Sequence, residues 1–279
     1  MDEKNPPLDR DVLREALTGK PLGSMLVHLE ETASTSDVAW AKARAGAPEG
    51  LVVAAERQDA GRGRTGNVWH SAEGLGLWFS VLLRPPADPE KMGRLTCAAG
   101  VAVADALRET AGLEPGLKWP NDVLVADRKI AGILTETKSH FPDPRPVILG
   151  IGINVLHRED DFPPELAGVA TSVRMEEGAA DRTGLLIGVL DRLAAWYRRL
   201  LADDREAVEE AFQKLCMMRD RTVVLTVGRE TVRGAVLRVT CADGMTLALD
   251  DGTERTFRSE HIANVELLPR EGARGDGPP

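Results

Sequence analysis

The chain has 279 residues, 43% hydrophobic and 28% charged, an ordinary balance for one or two globular domains with a core of their own. A formal net charge of -9 excludes bulk attraction to nucleic acid or anionic lipid, so any basic site has to be local. The N-terminus lacks an apolar signal region and no stretch approaches the roughly 18 apolar residues of a membrane span, so a cytoplasmic protein is expected.

Leu8, Val12, Leu13 and Leu17 recur at helical spacing and predict a short helix over 8–19 that Gly19 can end. Met25–Glu30 reads as a strand. Ser34 or Thr35 can cap the Ala-rich helix that follows, with Gly46 at its end. Leu51–Gln58 and Leu77–Leu83 are strands on either side of a Gly/Arg-rich loop at 61–67. Met92, Leu95, Ala99, Val103 and Leu107 mark one face of a long helix. A brief strand at 117–119 stops at Pro120, and Val123–Val125 with Ile130–Thr135 suggests a hairpin turning at Asp127-Arg128. Val147–Val155 is a buried-type strand whose Gly150 and Gly152 signal the close approach of a ligand or another backbone. Helices over about 181–201 and 204–218 follow. Near residue 219 the texture changes to five short strand-like runs, Thr222–Val227, Thr231–Thr240, Met245–Leu249, Thr253–Phe257 and Ile262–Leu268, which suggest a small β-barrel. Strands and hairpins alternating irregularly with helices point to an α+β fold. The three cysteines, Cys97, Cys216 and Cys241, are too scattered for a disulfide framework or a metal knuckle and read as reduced, buried thiols.

Gly61-Arg62-Gly63-Arg64-Thr65-Gly66 matches Gly-x-Gly-x-x-Gly, but Asn67-Val68-Trp69-His70-Ser71 does not open a helix, as a dinucleotide-binding fingerprint requires. What the loop does offer is two guanidiniums between glycines. Glycines let backbone N–H groups approach a ligand, and arginines fork onto phosphate or carboxylate oxygens. Such a loop is expected to be loose when empty and ordered by anions. Alone it could equally be a solvated basic turn.

It is followed by Lys118-Trp119-Pro120-Asn121-Asp122, then Arg128-Lys129-Ile130-Ala131-Gly132-Ile133-Leu134, then Gly150-Ile151-Gly152-Ile153-Asn154-Val155. In this order and at this spacing the set resembles the biotin–protein ligases over roughly residues 25–268. The resemblance implies a catalytic domain over 1–218, like those of the class II aminoacyl-tRNA synthetases and the biotin and lipoate ligases, with a mixed sheet and flanking helices. It further implies an SH3-like barrel over 219–269, leaving a disordered tail at 270–279. About 30 residues precede the first motif, so a short form without an N-terminal DNA-binding domain is expected.

The resemblance also implies a site. Ser34, Thr35 and Ser36 stand where the family has Ser-Thr-Asn against the biotin ureido group, and Gln58 aligns with a glutamine that hydrogen-bonds biotin. Arg62, Gly63 and Arg64 align with the biotinyl- and phosphate-binding loop, and Lys118 with a lysine facing the biotin carboxylate and the reacting phosphate. Trp69, Asn121 and Asn154 become nucleotide contacts, and Asp122 a candidate for deprotonating the acceptor lysine. Ser36 and Asn67 depart from the pattern, Asn67 replacing a residue that is often basic. Plainer roles compete: a helix cap for Ser34, core packing for Trp69 and Trp119, a turn for Asn121 and Asp122.

The implied chemistry needs no protein nucleophile, and no Gly-x-Ser-x-Gly elbow or Cys–His pair is present. The biotin carboxylate attacks the α-phosphorus of ATP and pyrophosphate leaves. A lysine of a biotin carboxyl carrier protein then attacks the mixed anhydride and AMP leaves. Arg62, Arg64 and Lys118 would supply catalytic positive charge, with Mg2+ neutralising the triphosphate and no metal site in the protein. A homodimer is compatible with the family; nucleic-acid and membrane partners are not expected. The rival readings are a lipoate–protein ligase or octanoyltransferase, and a non-enzymatic biotin-sensing repressor.

Overall fold

The computed structural model describes residues 5–86, 89–141 and 145–268, with side chains in the helix that starts at Pro89 described from residue 93. The tail expected over 270–279, and the Met92 side chain, lie outside these residues. Seven strands, β1 (Leu26–Thr32), β2 (Val52–Gln58), β3 (Gly76–Leu83), β4 (Gly116–Lys118), β5 (Asp122–Val125), β6 (Arg128–Thr137) and β7 (Val147–Asn154), form one sheet in the order β1-β2-β3-β7-β6-β5-β4. Only β1 and β2 run parallel, because helix α2 (Thr35–Arg44) supplies the crossover that a parallel pair needs. The remaining neighbours are antiparallel, so the sheet is mixed, as expected.

Both sheet faces are covered. On one, Ala39, Trp40 and Ala43 of α2 pack on Leu51, Val53, Leu82 and Ile148. On the other, α3 (Pro89–Ala111) packs beside α4 (Arg182–Leu201). Leu95, Ala99, Val103 and Leu107, the stripe visible in the sequence, are completely buried there. A Leu107→Ala change would cost about 2–5 kcal/mol. Two shorter helices, α1 (Arg10–Leu17) and α5 (Arg205–Leu215), flank this layer. No helix among the described residues is long and apolar enough to cross a membrane.

The β5–β6 turn falls one residue earlier than the sequence suggests. Ala126 and Asp127 both have positive φ, 49° and 60°, as a two-residue turn matching the strand twist requires.

The five C-terminal runs are all strands: β8 (Thr222–Val227), β9 (Glu230–Thr240), β10 (Gly244–Leu249), β11 (Glu254–Phe257) and β12 (Ile262–Leu267). They form an antiparallel sheet in the order β11-β10-β9-β8-β12. Its edge strands, β11 and β12, do not pair with each other among the described residues, so the sheet is open where a barrel was expected. Met245, Leu247 and Phe257 belong to the same apolar cluster as α3. Cys97 and Cys241 are buried, Cys216 partly so, and all three are free thiols.

Two buried polar groups lie outside the lining of the cavity described below. Glu56 on β2 accepts from the Leu8 amide (2.9 Å) and Arg182 Nη2 (2.6 Å), and its Oε1 lies 2.7 Å from His28 Nε2. Burial pushes its carboxyl up, but these partners outweigh it and hold the pKa at about 2. Arg182 also donates to the carbonyls of Gly76 (2.9 Å) and Pro6 (3.1 Å), tying the N-terminal segment to the sheet. His157 is completely buried, stacked on Phe162 at 4.7 Å, and burial lowers its pKa to about 4.

Candidate active site

One cavity collects side chains from segments far apart in the sequence: the start of α2, the end of β2, the Gly/Arg loop, the β4–β5 turn, β6, β7 and the β12 segment. Ser34, Thr35, Ser36, Gln58, Arg62, Gly63, Arg64, Lys118, Trp69, Asn121 and Asp122 all line it.

Part of its lining is built from hydroxyls. Ser34 occupies the N-cap position of α2, but its side chain makes no capping bond. The exposed helix N–H is satisfied instead by Gln58, whose Oε1 accepts from the Thr35 amide (2.9 Å) and from Thr35 Oγ1 (3.1 Å). Gln58 Nε2 donates to Ser71 Oγ at 2.9 Å. Ser80 on β3, completely buried, lies 2.8 Å from Thr35 Oγ1 and 3.1 Å from Ser36 Oγ. Ser36 thus keeps a polar role although it is shorter than the asparagine of the family pattern. The sequence reading missed Ser71 and Ser80, because serines in a loop and an apolar strand carry no local signal.

The floor explains two glycines. A Cβ on Gly152 would sit 2.5 Å from the Trp69 indole, and one on Gly132 would sit 2.8 Å from it. Any larger residue at either position would expel Trp69 from the sheet surface. The close approach signalled by Gly152 is therefore that of an indole. Trp69 also meets Trp78 edge-on, with centroids 6.3 Å apart.

The cations are parked in different places. Arg62 forks onto Asp37 with two bonds of 2.8 Å and lies 3.7 Å from Glu136. The bond from Arg62 holds the Asp37 carboxyl below its ordinary range. Lys118 is largely desolvated, which pushes its ammonium pKa down, opposed by nearby Asp122. Asp122 makes a 2.6 Å ion pair with Lys129, whose Nζ lies 5.2 Å from the Trp69 ring centroid. Lys129 also lines the cavity and has no role assigned from the sequence, since it lies seven positions beyond Asp122 and only the hairpin joins them. Asn121 braces the turn: its Nδ2 donates to Ile133 O (3.0 Å) while its own carbonyl accepts from the Ile133 amide (2.9 Å).

Asn154 is the exception. It is buried outside the cavity lining, and its Nδ2 donates to Thr171 O at 3.0 Å. Its amide holds a neighbouring loop.

The mixed sheet thus brings hydroxyl-bearing side chains and a group of cations into the lining of one cavity. Residues 29–154 match the model of the biotin/lipoate A/B protein ligase family. The bifunctional ligase/repressor BirA of Bacillus subtilis (strain 168) is 34% identical over 266 residues, 93% of this chain and 79% of that protein. The biotin–[acetyl-CoA-carboxylase] ligase of Mycobacterium tuberculosis is 37% identical over 201 residues, 70% of this chain and 72% of that one. The structure of the biotin protein ligase from Aquifex aeolicus in complex with biotin and ATP superposes with a TM-score of 0.71 at 27% identity, covering 88% of this chain and 99% of that chain. The chain belongs to the biotin/lipoate A/B protein ligase family and is a ligase.

Proposed function

We propose that the protein activates biotin with ATP to biotinyl-5'-AMP, releasing pyrophosphate, and then transfers biotin to a lysine of a biotin carboxyl carrier protein. The observation that carries this reading is the convergence of Thr35, Ser36, Gln58 and Ser80 with Arg62, Arg64, Lys118 and Lys129 in the lining of one cavity. A cyclic urea needs hydrogen-bonding groups around its ring, and the hydroxyls and Gln58 supply them. A carboxylate meeting a phosphate needs positive charge between the two anions, and the cations supply it.

In this reading Lys118 and Lys129 flank the reacting oxygens, and Arg62 exchanges Asp37 for an anionic ligand. Trp69 and Asn121 shape the nucleotide end. Asp122, held by Lys129, is the carboxylate assigned to the incoming lysine ammonium. No group of three His, Cys, Asp or Glu side chains suited to a metal ion occurs among the described residues. In this reading magnesium enters as the counter-ion of the triphosphate. The chain is divided into a catalytic domain, 1–218, and a C-terminal domain, 219–269, whose Ala263, Asn264 and Val265 contribute to the cavity wall.

Pyrophosphate release measured with biotin and with lipoate tests the proposal, alongside mass spectrometry of a biotin carboxyl carrier domain after incubation with enzyme, biotin, ATP and magnesium. Biotin should support release and lipoate should not, and the carrier should gain one biotinyl group. Equal rates with lipoate would place the protein on the other branch of its family.

A further inference from the structure

The two arginines of the Gly-Arg-Gly-Arg loop face different partners. Arg62 is held by the carboxylate of Asp37 within the catalytic domain. Arg64 turns the other way. Its Nη2 donates to the carbonyl oxygens of Ser259 (2.5 Å) and Ile262 (3.2 Å), and its Nη1 approaches Asn121 Oδ1 at 3.5 Å. The next residue, Thr65, has a φ of 54° and donates from its hydroxyl to Ala263 O at 3.4 Å. Both carbonyls bound by Arg64, and the one bound by Thr65, belong to the C-terminal sheet segment that continues into the cavity wall.

Chemically this is an unusual place for a loop arginine if binding anions were its whole task. Peptide carbonyls do not neutralise a guanidinium, but they fix its fork in one plane and accept charge-assisted hydrogen bonds. The guanidinium is also mostly buried, which lowers its pKa and makes lost partners costly. Arg64 lines both the active-site cavity and a second cleft that runs between the α3 end of the catalytic domain and the turn before β12. It stands in the seam between the two clefts.

We infer that Arg64 is a positioning residue that clasps the C-terminal domain onto the Gly/Arg loop and so holds Ala263–Val265 in place as a wall of the active site. This goes beyond the proposed reaction and does not depend on which acid the enzyme activates. The clasp makes the loop and the C-terminal domain one mechanical unit: what loosens one loosens the other. Arg62, with the same charge in the same loop but no contact across the seam, has no such effect.

Hydrogen exchange on the full-length, ligand-free protein tests this with Arg64→Ala, Arg64→Lys and Arg62→Ala. Hydrogen bonds from a charged donor predict that the amides of 258–265 exchange about 10- to 100-fold faster in Arg64→Ala. The loop amides of 61–67 should accelerate with them, while β3 and β7 stay protected and so report an intact catalytic sheet. Arg64→Lys keeps a point charge that can meet one carbonyl and should fall between wild type and Arg64→Ala. Arg62→Ala should leave 258–265 unchanged. Unchanged exchange at 258–265 in Arg64→Ala, or equal acceleration there by Arg62→Ala, would overturn the assignment.

Discussion

Strand β2 carries two polar side chains two residues apart, Glu56 and Gln58, and they belong to different worlds. Glu56 is enclosed by Leu8, His28 and Arg182, with partners for both carboxylate oxygens, and is not part of the cavity lining. Gln58 is bonded to Thr35 and Ser71 and still lines the cavity, where its amide orients hydroxyls without using them up. A polar group whose bonds all close within the protein stabilises the fold, at the expense of anything it could do for a ligand. A polar group that closes only some of them and opens on a cavity is available for recognition. Glu56 is buried and Gln58 only half-buried, and the destination of their hydrogen bonds follows the same division.

The comparison breaks most visibly if Glu56 is removed. Glu56→Ala leaves Arg182 as a buried charge without its carboxylate and should destabilise the protein by about 4 kcal/mol in denaturant unfolding. Biotin affinity of the fraction that remains folded should stay as in wild type. A loss of affinity larger than the loss of stability would join the two regions that the comparison separates.

Next in size are the lysines of the site. Lys129→Ala and Lys118→Ala should each lower the rate of pyrophosphate release by about 10²–10³-fold, the scale for one lost donor to a transition state. Biotin should still bind, because Thr35 and Gln58 are untouched, and calorimetry beside the rate assay reads the two effects apart. Lys118→Arg should not restore the rate fully, since a planar fork cannot occupy the position of a compact ammonium. Because burial lowers the Lys118 pKa, biotin affinity should fall at alkaline pH as this ammonium loses its proton, and Lys118→Ala should flatten that fall. A variant of either lysine that weakens biotin binding without changing the maximal rate would reduce that lysine to a binding residue.

Acid sharpens the comparison from the other side. His157 has a folded pKa of about 4 against an ordinary 6.5, so its neutral form is the folded one. Its contribution is complete above pH 6.5 and is lost as pH falls from 6.5 to 4, by at most about 3 kcal/mol. Glu56, with a folded pKa of about 2 against 4.5, adds a second loss between pH 4.5 and 2. Unfolding midpoints of wild type, His157→Phe and Glu56→Gln across this range should show the first step missing in one variant and the second missing in the other. Both steps surviving in both variants would mean that other groups control acid stability.

The smallest effect expected is on Gln58. Gln58→Ala should weaken biotin binding about 10-fold, the worth of one or two neutral hydrogen bonds, and change stability by only about 1 kcal/mol. If stability falls as far as in Glu56→Ala, Gln58 belongs with the structural group.

What could be read from the sequence, and what could not, follows the same division between local and distant partners. The helices, the five C-terminal strands and the Ser34-Thr35-Ser36, Gly61–Gly66 and Lys118–Asp122 segments announce themselves through spacing and composition. The cavity joins residues of all three segments. Whether the second sheet closes was not legible, because closure depends on how β11 and β12 meet and neither strand encodes that by itself. Lys129 lies in a block that carries the family resemblance but has no role assigned from the sequence, although the turn at Ala126-Asp127 folds it back onto Asp122. Ser80 hides in the apolar run Leu77–Leu83. The partner of Asn154 was not legible either: its amide bonds the loop around Thr171, 17 residues on, which nothing beside Asn154 in the sequence announces.

Arg182 has a consequence for the order in which a ribosome can finish this protein. Its partner Glu56 lies 126 residues earlier in the chain, and the Pro6 carbonyl that it also binds lies 176 residues earlier. While β1, α2 and β2 emerge, Glu56 can find His28, but its other oxygen has no cation to meet. A carboxylate half-supplied in this way stays wetted, because dehydrating it early costs more than the neighbouring strands return. Vectorial synthesis therefore delivers a sheet that remains open to water along β2 until α4 has left the exit tunnel. At that point a single guanidinium both neutralises the carboxylate and ties down the segment at Pro6, so that segment is fastened late.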